Sequence, residues 1–67
     1  MTPEIVSRII EKFGGQTKLA AAINGKQSTV AHWKRRGVIP AREQARILAA
    51  ARERSIDLTP ADFFEVA

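Results

Sequence analysis

Apolar positions along the chain recur in clusters of helical spacing, separated by glycine, asparagine and proline. Ile5, Val6, Ile9, Ile10 and Phe13 form one stripe, with Arg8, Glu11 and Lys12 outside it. Recurrence at three and four residues predicts an amphipathic helix. Its start is written as Thr2-Pro3-Glu4: a threonine cap, a proline where no amide donor is needed, and an acid facing the positive end of the helix dipole. Gly14-Gly15 ends it, because glycine enters the left-handed backbone region at no steric cost. A second, shorter helix is expected over residues 16–23, with Leu19, Ala20 and Ile23 facing inward. Asn24-Gly25 breaks it, since both residues tolerate positive φ and allow a sharp turn.

A third helix is expected over about residues 27–36, with Val30 and Trp33 as its apolar pair and Gly37 as its stop. The spacing of Trp33 from Val30 makes it a core residue rather than a stacking platform for a base. Ile39-Pro40 reads as an extended connection, because the residue before proline avoids the helical region. A fourth, alanine-rich helix is expected from residue 40 to about 54, turning Ile47, Leu48 and Ala51 toward the core. Ile56-Asp57-Leu58 is a link. Thr59-Pro60-Ala61-Asp62 repeats the opening signal, and Phe63, Phe64 and Val66 follow in one last short turn of helix. No period-two strand pattern, internal repeat or dividing linker is present. The expected class is all-α, a single domain over residues 1–67.

Composition narrows the possibilities. The chain has 67 residues, of which 45% are hydrophobic; that suits one small folded domain and is too apolar for a disordered one. No apolar run approaches the roughly 20 residues of a membrane-spanning helix. The first residues lack the basic region and apolar stretch of a secretory signal, so a cytoplasmic protein is expected. There is no cysteine and a single histidine. Disulfides and cysteine zinc sites are thereby excluded, and neither a metal site nor a cofactor is expected. A catalytic constellation is missing too: Ser28 has no nearby base or oxyanion motif, and Gly14-Gly15 is not followed by the lysine and hydroxyl residue of a phosphate loop. The expectation is a protein that is not an enzyme.

Charge is segregated along the chain. The formal net charge is +4, yet residues 12–42 hold seven basic residues and no acid. They are Lys12, Lys18, Lys26, Lys34, Arg35, Arg36 and Arg42. Such a +7 stretch suits a polyanion, although a solvated basic face has the same composition. Glu43, Glu53, Asp57, Asp62 and Glu65 are expected to cap helices and to keep the reverse face away from that polyanion.

The run from Gln16 through Leu19, Ala20, Ile23-Asn24-Gly25, Gln27-Ser28-Thr29-Val30 to Trp33 resembles the helix-turn-helix of phage repressors and Cro proteins, over about residues 16–35. The following Lys34-Arg35-Arg36-Gly37-Val38-Ile39-Pro40 resembles especially the short YdaS-type Cro-like regulators, whose recognition helix leaves through a Trp-Lys-x-x-Gly-x-Ile-Pro pattern. The likeness spans roughly residues 4–54. One departure is that the family usually has glycine where Asn24 stands and an apolar residue where Gly25 stands.

The resemblance implies a lambda-repressor-like domain of four to five helices. It also implies a sequence-specific transcriptional regulator of double-stranded DNA, associated with the nucleoid, its third helix in the major groove. By position, Gln27 and Ser28 correspond to residues that touch bases, and their chemistry agrees: glutamine pairs with adenine, serine with either kind of edge. Thr29 can touch a thymine methyl or a phosphate. His32 can reach a base edge or the backbone, or simply be an exposed histidine. Gln16 and Thr17, with Lys18, Lys26, Lys34, Arg35 and Arg36, are expected at phosphates. A homodimer on a two-fold operator follows the same analogy. The alternative is an antitoxin-like or co-regulatory protein that binds a protein partner through Phe63, Phe64 and Val66. Two adjacent phenylalanines cannot share one helix side, so either one of them fills a gap between helices 1 and 4 and the other is exposed, or both pack on the domain.

Overall fold

The computed structural model describes residues 1–64. Its four helices are α1 (Pro3–Phe13), α2 (Gln16–Ala22), α3 (Gln27–Arg36) and α4 (Ala41–Glu53), followed by a 3₁₀ turn over Pro60–Phe63. No strand occurs among the described residues, and the fold is all-α.

Each boundary follows from local chemistry. The Thr2 hydroxyl accepts the Ile5 amide at 3.2 Å, with Pro3 as the first helical residue. Gly14 closes α1 in the left-handed region at φ 96°, its amide on the Glu11 carbonyl and that of Gly15 on Ile10. At the α2–α3 turn only one of the two expected residues takes positive φ. Asn24 does so at 57°, while Gly25 stays outside the left-handed region and donates its amide to the Ala20 carbonyl. Asparagine therefore does what glycine does elsewhere in such turns. Gly37 ends α3 at φ 71°.

The core is wholly apolar. Ile5, Val6, Ile9, Ile10 and Phe13 of α1 meet Leu19, Ala20 and Ile23, then Val30 and Trp33, Ile39, and Ile47, Ala50 and Ala51 of α4. Helix α1 packs on α2, α3 and the 3₁₀ turn, and α4 packs on α2. In α4 the inward set differs from the expected one: Ala50 is buried and Leu48 only partly so. An alanine-rich helix gives a weak apolar stripe, since alanine is indifferent to either environment.

In the C-terminal segment one phenylalanine packs inward, against α1, and the other is exposed. The Thr59 amide donates to an Asp62 carboxylate oxygen at 2.8 Å, which starts a 3₁₀ turn that ends at Phe63 rather than continuing as an α-helix. Phe63 is 2% exposed and packs in the core with its turn against α1, whereas Phe64 is 66% exposed. Of the residues expected at a partner surface, Phe63 is thus a core residue and Phe64 a surface one. Glu65 and Val66, the remaining acid and the third residue of that expected surface, lie outside the described residues. Among the described residues no helix is long and apolar enough to cross a membrane.

Candidate nucleic-acid interface

Helix α3 is held by one side only. Val30 and Trp33 are buried, with Gly37 beneath the last turn, and Ala31 is half-buried. Gln27, Ser28, Thr29, His32, Lys34, Arg35 and Arg36 are all exposed. A ten-residue helix that buries two large side chains leaves most of its circumference to solvent. Its cap residue, Lys26, is also exposed and makes no side-chain cap bond.

The starts of α2 and α3 come together. The Gln27 side-chain amide nitrogen donates to the Gln16 side-chain carbonyl at 2.6 Å, across 11 positions of sequence. Both residues open their helices. Gln16 is half-buried and Gln27 exposed, so the pair lies at the edge of the domain. Thr17 is exposed beside Gln16. Lys18 is exposed as well, but its aliphatic stem crosses Gly14: a β-carbon there would stand 2.8 Å from the Lys18 Cδ. Lys18 thus lies over the end of α1.

Two charge placements differ from what the linear sequence suggests. Lys12 belongs to the acid-free stretch, yet its ammonium donates to the Asp57 carbonyl at 2.7 Å, pinning it to the link after α4. Glu43, expected to cap a helix and to lie on the reverse face, does stand in the first turn of α4, but it lines a cleft of about 400 Å³ together with Lys26, Thr29 and the turn residues Asn24 and Gly25. Ile23, Val30 and Trp33 form its apolar floor. The cleft lies beside Gly25, the position where a side chain is missing relative to the usual repressor turn.

A further pair escaped the sequence reading. Arg46 forms an ion pair with Glu43 at 3.0 Å and also donates to the Ile23 carbonyl at the end of α2. This links α4 to the residue that enters the turn. The Glu43–Arg46 spacing is visible in the sequence; its third member, a backbone carbonyl 23 residues away, is not. Similarly, Gln44 donates to the Ile39 carbonyl at 2.9 Å and steadies the connection after α3.

A family model described as "Bacterial toxin YdaS" matches residues 6–58. No curated protein and no solved structure matches the chain. The matched stretch begins in the first turn of α1, contains α2, α3 and α4 whole, and ends in the link before the 3₁₀ turn. It therefore includes the Gln16–Gln27 pair and the Trp33-to-Pro40 exit from α3. The match agrees with the YdaS-type part of the likeness those exit residues carry, and the chain belongs to the bacterial toxin YdaS family.

Proposed function

We propose that this protein binds double-stranded DNA in a sequence-specific manner through α3 and regulates transcription. The observation that carries the reading is the hydrogen bond between Gln16 and Gln27 at the exposed start of a helix anchored by Val30 and Trp33. A free glutamine loses rotamer entropy when it meets a base. Here one Gln27 N–H is already satisfied, which fixes the amide plane. The second N–H and the carbonyl oxygen are left to pair with adenine N7 and N6. The Gln16 amide nitrogen then faces a phosphate.

Ser28 and His32 continue the reading face one turn on, and Thr29 reaches a thymine methyl or a phosphate. Lys26, Lys34 and Arg36 neutralise backbone phosphates, and the Thr17 hydroxyl donates a hydrogen bond to one. Three or four such contacts give log K a slope near −3 against log salt per subunit. One helix about 15 Å long spans only a few base pairs. A homodimer on half-sites about 34 Å apart doubles that readout. The reading needs no catalytic group and no cofactor, and it places the protein at the nucleoid.

The test is salt-titrated binding to duplex DNA by two double variants. Gln27→Ala with Ser28→Ala is expected to flatten preference between sequences. Lys34→Ala with Arg36→Ala is expected to weaken all duplexes alike and to reduce the salt slope by about 2. Undiminished sequence preference in the first variant would overturn the assignment of the reading face.

A further inference from the structure

Lys34, Arg35 and Arg36 are consecutive cations at the end of α3. In a helix, consecutive residues are rotated by about 100°, so the three cannot share one task. Relative to the buried side defined by Val30, Trp33 and Gly37, Arg35 projects about 180° away, whereas Lys34 and Arg36 each stand about 80° to either side. Arg35 follows Ser28 by seven positions, about 20° short of two full turns, and so continues the stripe of Ser28 and His32. All three residues of that stripe are exposed.

We infer that Arg35 reads a base edge, and that its preferred base is guanine. The inference rests on the DNA-binding reading above and assigns within it a specificity residue at the far end of the helix. The first residue of a helix that enters the major groove, here Gln27, reaches the bases from its end, whereas beyond the first turn the outermost stripe faces the bases and the flanks face the two phosphate walls. Lys34 and Arg36 occupy those flanks. Arg35 occupies the stripe, about 10 Å along the axis from Ser28, or about three base-pair steps. Among the described residues its guanidinium has no ion-pair or hydrogen-bond partner that would hold it back on the domain. A guanidinium fork matches guanine O6 and N7 bidentately, while an ammonium offers a point charge without that geometry.

The experiment is selection from a randomised double-stranded oligonucleotide library by the full chain and by Arg35→Lys, Arg36→Lys and Ser28→Ala variants. The unaltered chain should enrich a motif with a guanine about three base pairs from the position that Ser28→Ala relaxes. Arg35→Lys should lose preference for that guanine by roughly 5- to 150-fold, with an unchanged salt slope. Arg36→Lys should leave the motif intact. A motif that survives Arg35→Lys overturns the assignment while leaving DNA reading in place. A library that yields no motif with the unaltered chain overturns both.

Discussion

Gly37 carries two constraints at once. Its φ of 71° lies where an L side chain is strained, and a β-carbon there would stand 2.7 Å from the Pro3 backbone nitrogen. Relief would require α1 to shift away from α3. Gly37→Ala should therefore cost roughly 2–4 kcal/mol, combining left-handed strain with lost packing, as read by urea unfolding. A loss below about 1 kcal/mol would show that the contact yields easily. Gly25 is the opposite case. It is not left-handed, and an added β-carbon meets Ile23 at an ordinary 3.5 Å. Gly25→Ala should stabilise by about 0.4–1 kcal/mol through the unfolded chain. At Ser55 the backbone takes φ 57° after α4 without a glycine to relieve it. Ser55→Gly should raise stability by about 0.5–1 kcal/mol in the same assay. The glycine signals at 14 and 37 were legible in the sequence because glycine announces such positions. Ser55 was not, since serine gives no hint of a left-handed backbone.

At the level of elements, caps and apolar spacing located all four helices to within a residue or two, because those signals are local. What escaped was set by distant parts of the chain. Lys12 reaches the Asp57 carbonyl across 45 positions, and Arg46 reaches the Ile23 carbonyl across 23. No spacing rule foretells a backbone acceptor that far away. The Gln16–Gln27 bond belongs to the same class: each glutamine was legible as a contact candidate, but not their pairing. The Arg46–Ile23 and Gln16–Gln27 contacts add to the apolar packing of α2 and α3, at the turn and at the helix starts. Arg46 is about half exposed in its side chain, so solvent screening keeps the energy of Arg46→Ala near 1 kcal/mol. Its larger effect should fall on the turn, as faster amide hydrogen exchange at Asn24 and Gly25. Gln16→Ala should leave the melting temperature within about 2 °C, since the pair is at the domain edge, yet weaken DNA binding several-fold by freeing the Gln27 amide. Equal losses of stability and binding would assign Gln16 a purely structural part.

Across the whole molecule, the net charge of +4 is less informative than where the charges lie. Lys12 is committed to the link after α4, Lys18 lies over the end of α1, and Glu43 stands near the turn. Of the remaining five cations of residues 12–42, Lys34, Arg35 and Arg36 lie on α3, Lys26 caps it, and Arg42 lies in the first turn of α4, all exposed. The proposed reading face and its charges thus lie on one helix, whereas Phe64 alone of the expected partner residues is exposed among the described residues. The most direct measurement is competition between a duplex enriched from a random library and a scrambled duplex of equal composition, at fixed salt. A specific regulator should prefer the enriched duplex by about 10³-fold or more, and Gln27→Ala with Ser28→Ala should remove most of that ratio. Equal affinity for both duplexes, or no binding to either, would contradict the account.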